Sequence, residues 1–133
     1  MSTTNVGLIK SAYAAFAKGD VPSVIGAMSP NIVWMEAENF PYADHNPYVG
    51  PDAIVGGVFT RLATEWDGFA VKLEDVLDAG DHVVTRGRYT GAYKATGKPI
   101  NAQFAHVWKI VDGKVSSFQQ YVDTLHIERA TRK

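Results

Sequence analysis

Phe104-Ala-His-Val-Trp-Lys-Ile-Val-Asp-Gly-Lys-Val-Ser-Ser-Phe-Gln-Gln-Tyr-Val-Asp123 reads as two long strands joined by a tight turn at Asp112-Gly113. Side chains alternate across a strand, so His106 shares a face with Phe104, Trp108 and Ile110. On the partner strand, Gln119, Tyr121 and Asp123 share a face. An imidazole and a carboxylate cost free energy to bury unless they are paired. Set among aromatic rings, they point to a pocket.

Upstream, residues 69–77, 82–93 and 100–111 carry further strand patterns separated by short turns near 78–81 and 96–99. Short turns predict an antiparallel meander. Gly87 and Gly91 interrupt the longest of these strands. Mid-strand glycines mark bends or bulges, as a curved sheet needs, or ordinary edge irregularity.

The N-terminal half is helical. Leu8, Ile9, Ala12, Tyr13 and Phe16 form one apolar stripe over 4–18, and Gly19 is a natural stop. Asp20 is placed to cap a short second helix with Pro22 in its first turn and Val24, Ile25 and Met28 inward; Ser29-Pro30-Asn31 breaks it. Residues 32–36 read as a strand with Ile32, Trp34 and Glu36 on one face. Residues 37–51 hold three prolines, two tyrosines and a phenylalanine, too aromatic for a solvated linker, and read as an ordered loop over a cavity mouth. A third helix starts at Pro51, turns Ile54, Val58, Phe59, Leu62 and Trp66 inward, and ends at Asp67-Gly68. Helices first and a meander last give the α+β class.

The 133 residues suit one domain with a real core, and 46% apolar with 20% charged residues is ordinary globular usage. A net charge of −1 without a basic stripe gives no support for nucleic acid or an anionic membrane as partner. The absence of cysteine excludes disulfides, thiolate chemistry and cysteine-ligated metals. No signal peptide or spanning apolar run is visible, so a cytoplasmic protein is expected. His45, His82, His106 and His126 show no paired ligand spacing, and Asp44-His45-Asn46 reads as a turn cluster, so no metal is expected. Gly56-Gly57 reads as a close-packing point within a helix.

Several local patterns in this order resemble the SnoaL-like, ketosteroid-isomerase-related branch of the nuclear transport factor 2-like superfamily. They are Phe16-Ala-Lys-Gly-Asp20; Val33-Trp-Met-Glu36; Pro41-Tyr-Ala with Tyr48-Val-Gly-Pro-Asp-Ala-Ile54; Val111-Asp-Gly-Lys-Val115; and Tyr121-Val-Asp123. The resemblance spans nearly the whole chain and implies one domain over 1–133. It implies a cone-shaped fold, N-terminal helices packed on a strongly curved, mainly antiparallel sheet that encloses a pocket.

The same resemblance assigns candidate catalytic residues. Glu36 matches the proton-shuttling carboxylate of the isomerases with one extra methylene; its other reading is a solvated strand end. His106 falls where they carry a protonated acid that donates to the developing enolate, a device for which ketosteroid isomerase is the standard case; otherwise it is a structural histidine satisfied by one neighbour. Asp123 matches the acid-base aspartate of the SnoaL-like cyclases, and equally reads as the N-cap of a short terminal helix over 124–130. Trp34, Phe59, Tyr89, Phe104, Gln119 and Tyr121 would line the pocket, or simply pack the core. Tyr42 and Tyr48 would contact substrate from the loop, or anchor it. Two departures stand out. Ala12 occupies the place of the isomerases' helix tyrosine, with Tyr13 turned about 100° round the helix. The Arg-x-Asp pairing of epoxide hydrolases has no clear match.

The expected function is cofactor-free proton transfer on a small, mostly apolar carbonyl compound, an isomerase or cyclase. The alternatives are a small-ligand-binding or dimerisation module, or an epoxide-hydrolase-like hydrolase. A homodimer through the outer face of the last strands, with Val107, Val111, Phe118 and Val122, is also expected.

Overall fold

The structure is a computed structural model and describes residues 2–133. The chain opens with α1 (Ser2–Ala17) and α2 (Val21–Gly26), followed by β1 (Met28–Met35). A 3-10 turn (Pro41–His45) and a short strand β2 (Tyr48–Val49) lead into one helical run with a π turn inside it: α3 (Pro51–Ile54), the π turn (Val55–Phe59) and α4 (Thr60–Glu65). Then come β3 (Trp66–Ala79), β4 (His82–Tyr93), β5 (Pro99–Val111), β6 (Lys114–Val122) and α5 (Thr124–Thr131). The strands form one sheet in the order β2-β1-β6-β5-β4-β3, whose two edges do not meet. Only the β1–β6 pair is parallel. This is the α+β, mainly antiparallel architecture expected from the chain.

The bends have identifiable causes. A Cβ on Gly87 would lie 2.0 Å from the Lys72 carbonyl oxygen, and Gly91 sits at φ +140°. Opposite each glycine, β3 carries an extra residue: Glu74 intervenes near Gly87, and Gly68-Phe69 face Gly91. The backbones approach where no side chain stands between them, and each bulge adds twist. These glycines therefore mark bends rather than edge irregularity.

Other expectations need correction. Ser29-Pro30-Asn31 does not break a helix; it lies inside β1, where the ladder to β6 slips between Met28 and Val33. A bulge tolerates the proline's missing N–H. The third helix runs without a gap from Pro51 to Glu65 but widens into a π turn at its middle, and Trp66 opens β3 instead of closing the helix. The largest change is in β6. Ile110 pairs with Val115 but Lys109 with Ser117, so Ser116 is an extra residue. One extra residue reverses the alternation beyond it. Phe118 and Gln120 thus lie opposite Trp108 and His106 and are buried, while Tyr121 is 56% exposed. The outer face expected to pair in a dimer loses Phe118, which stacks on Trp34 inside with ring centroids 3.7 Å apart.

Adjacent glycines in the π turn give a sharp test. A Cβ on Gly57 would lie 2.1 Å from the Tyr48 ring, whereas nothing lies within 4 Å of one on Gly56. Gly57→Ala is expected to cost about 1–3 kcal/mol through overpacking, and Gly56→Ala to be neutral or stabilising by up to about 1 kcal/mol. Urea midpoints at unchanged slope read the difference, and equal midpoints would refute the contact.

Candidate active site

The inner face of the curved sheet, with α1, α2 and the helix holding the π turn, surrounds a cavity of about 60 Å³ whose walls are almost wholly apolar. A carboxyl and an imidazole face it, Glu36 and His106, respectively 2% and 5% exposed, together with the phenols of Tyr13 and Tyr89.

Glu36 follows directly on β1, and its position is fixed from two sides. The Asn46 side chain clamps its main chain: Oδ1 accepts from the Glu36 N–H at 3.0 Å, and Nδ2 donates to the Glu36 carbonyl at 2.8 Å. The Trp34 indole, two residues back on the same strand face, donates to Glu36 Oε2 at 3.0 Å. Burial pushes the carboxyl up to about 7, with the Trp34 bond and the charge of Arg61 opposing. A carboxyl that titrates near neutrality is suited to moving a proton in either direction.

His106 sits between two tyrosine hydroxyls. Its Nδ1 is 2.5 Å from Tyr13 Oη, and its Nε2 is hydrogen-bonded to Tyr89 Oη. Tyr13 Oη also meets Thr85 Oγ1 at 2.6 Å and accepts from the Trp108 indole at 3.1 Å. Gln120 Nε2 donates to Tyr89 Oη at 3.0 Å. Burial holds His106 down to about 3, so the ring is neutral at ordinary pH, and it raises both phenols, so they stay protonated.

The candidate residues divide. Glu36 and His106 meet in the cavity, with Trp34, Phe59 and Tyr89 in its wall. Phe104 lies behind, stacked on His106 and Tyr89. Asp123 does not join them. Its carboxylate caps α5 through the His126 N–H, and it lies in a groove on the outside of the sheet with Tyr121. The expected convergence of three ionisable groups is thus a convergence of two. Gln119 and Tyr121 do not line the cavity either; Gln120 takes their place because of the Ser116 bulge. Tyr42 and Tyr48 anchor the loop. Tyr42 is buried, donates to Glu65 and accepts from the Trp66 indole, and Tyr48 donates to the Tyr42 carbonyl. Arg61 covers the Tyr42 ring and holds Asp44 with two hydrogen bonds, so Asp44 and Asn46 both have structural partners.

Three site residues escape a reading of the sequence. Tyr13 reaches the cavity beside Ala12, since a long side chain spans what its Cα angle withholds. Gln120 is hidden by the bulge. Asn46 carries no signal in its spacing from Glu36.

The comparisons with known proteins agree with this fold. The family model described as a SnoaL-like domain matches residues 9–118. Among solved structures, a nuclear transport factor 2-like protein from Burkholderia thailandensis is 39% identical, with 96% of this chain and 97% of that one covered and a TM-score of 0.92. TerC, co-crystallised with polyporic acid, shares the fold at 22% identity, with 96% and 97% covered and a TM-score of 0.84. A candidate SnoaL-like polyketide cyclase from a Jannaschia species shares it at 19% identity, with 96% and 91% covered and a TM-score of 0.83. Among curated proteins, none matches the chain.

Burial of Glu36 sets a dependence of stability on pH. Below about 4.5 the carboxyl is protonated in folded and unfolded chains alike, and burial carries no charge penalty. Between 4.5 and about 7 the unfolded chain ionises first, so stability falls as pH rises, by on the order of 3 kcal/mol in all. His106 acts oppositely, its contribution being lost as pH falls from 6.5 towards 3. Glu36→Gln keeps an acceptor for Trp34 and is expected to be more stable than wild type at pH 8. Chemical denaturation from pH 4 to 8 checks this, and parallel wild-type and variant profiles would refute it.

Proposed function

The chain belongs to the SnoaL-like domain family, and from that premise we propose that it is a cofactor-independent proton-transfer enzyme, of isomerase or cyclase type, for a small and mostly apolar carbonyl compound. The observation that carries this reading is the Glu36 carboxyl, held near neutrality in an apolar cavity that also contains tyrosine hydroxyls.

In the proposed reaction, ionised Glu36 takes the proton α to the substrate carbonyl. The electron pair moves onto the carbonyl oxygen, which becomes an enolate oxygen. Tyr13 donates a hydrogen bond to it, in a low-dielectric site where such a bond counts for more than in water. With a β,γ-unsaturated ketone the enolate is a dienolate, and protonated Glu36 then returns the proton to its γ carbon, moving the double bond into conjugation and completing an isomerisation. In the cyclase version the enolate carbon attacks a second carbonyl of the same molecule, and the proton goes to the new alkoxide. The aromatic walls keep water from quenching the enolate. His106 acts through the tyrosines at its two nitrogens. Asp123, committed to its helix cap, has no part. The cyclase-like fold neighbour supports the cyclisation arm.

Deuterium uptake from D₂O into a panel of small ketones tests the reading. Wild type is expected to catalyse exchange, with kcat/KM rising with pH to a plateau above about 7 as Glu36 ionises. Glu36→Gln is expected to lose about 10²–10⁴-fold, and Tyr13→Phe about 10²-fold. Full exchange by Glu36→Gln would end the assignment, and ligand binding without exchange would make the cavity a receptor.

A further inference from the structure

The geometry points to Gln120 as the positioning residue that sets the direction of the hydrogen-bond chain from Tyr89 through His106 to Tyr13, and so makes Tyr13 the hydroxyl whose proton is free to turn to a ligand. The catalytic consequence rests on the proton-transfer reading above; the direction of the chain does not.

The argument begins at a backbone group whose polarity is fixed. The Ala37 N–H donates to Gln120 at 3.0 Å, so the atom of Gln120 that meets it is the carbonyl Oε1. The other end of the amide is then –NH₂, and what it offers Tyr89 Oη is a donor. Tyr89 therefore accepts from Gln120 and must place its own proton elsewhere. The other partner of its oxygen is His106 Nε2, so Nε2 accepts.

The rest follows along the ring. Neutral imidazole carries one proton. With Nε2 accepting, the proton is on Nδ1, and Nδ1–H donates to Tyr13 Oη. That oxygen also accepts from the Trp108 indole N–H. Two donors fill its lone pairs, and the Tyr13 proton points to Thr85 Oγ1. In the opposite tautomer, Tyr89 would accept from both His106 and Gln120, and its buried proton would lose the partner it has here. Each tautomer leaves one buried hydroxyl proton without an acceptor among the described residues, Tyr89's in that form and Thr85's in this one; the more acidic phenol is the stronger donor, so the form that satisfies Tyr89 is favoured.

The two hydroxyls beside His106 are thereby unequal. The Tyr89 proton is committed to the ring. The Tyr13 proton is polarised by two donors at its oxygen, and giving it to an enolate oxygen requires only rotation away from Thr85. The chain also ties the two sides of the cavity together, since Ala37 directly follows Glu36 in sequence.

The test reads the tautomer directly. In a His45→Gln, His82→Gln, His126→Gln background only His106 remains, and ¹⁵N NMR distinguishes its protonated nitrogen from its bare one. The expected form is Nδ1–H. Finding Nε2–H would overturn the inference, with no further variant needed. Gln120→Glu keeps an acceptor for the Ala37 N–H but, once ionised, offers Tyr89 a second acceptor. Followed from pH 6 to 10, it is expected to switch His106 to Nε2–H, and a folded variant that stays Nδ1–H throughout would overturn the role of Gln120. Deuterium exchange separates this outcome from the fate of the functional reading. A switched tautomer with exchange reduced about 10²-fold supports Tyr13 as donor, and a switched tautomer with undiminished exchange overturns that assignment. If wild type exchanges no ketone while the tautomer switches, the direction of the chain stands and the proton-transfer reading falls.

Discussion

A carboxyl group almost wholly removed from water, with one indole N–H as its hydrogen-bond partner, is the constraint around which the interior is arranged. Glu36 would be less costly to the fold as an apolar residue. Keeping it there requires a strand that delivers it to the cavity, an indole two residues back to hold one oxygen, and an asparagine that replaces the strand partner its backbone would otherwise lack. Each supports the position of the acid without neutralising it. No cation is paired with it at close range among the described residues, and that leaves the carboxyl titrating near neutrality. Such an arrangement costs the fold stability, as functional sites commonly do.

Much of the fold was legible because its signals are local. Period-two alternation, the Asp112-Gly113 turn and the apolar stripe of α1 each specify structure within a dozen residues. Gly19 at φ +73° and Asp20 capping Ser23 act as chain punctuation and fall where a reader expects them. What escaped depends on pairing between distant segments. The π turn has no sequence mark of its own beyond Gly57, whose small size is set by Tyr48. The inclusion of Ser29-Pro30-Asn31 in β1 is decided by the slipped ladder to β6.

The site was legible to the same extent and for the same reason. Glu36 and His106 could be placed by alternation from their neighbours Trp34 and Trp108, with no bulge in between. Gln120 could not, because alternation counted from the Asp112-Gly113 turn fails at Ser116, and every position beyond it changes sides. In sequence Asp123 fits either an acid-base residue or a helix cap, and in the fold it is the helix cap. Its side chain is occupied by the His126 backbone N–H on the far side of the sheet. The order of protons along Tyr89, His106 and Tyr13 was beyond any reading of the sequence, since it turns on how Gln120 faces a main-chain N–H that belongs to a different strand end.

Tyr42 belongs to the loop yet is buried in the core, held by Glu65 and Trp66 and covered by Arg61. This bears on how the protein can diversify. In many scaffolds the segment over a binding site is a replaceable module, free to change length and composition as specificity drifts. Here such an exchange would remove part of the foundation along with the roof. New ligand preferences would more readily arise by swapping wall residues such as Phe59, Leu62 and Val71 one at a time, with the segment inherited intact.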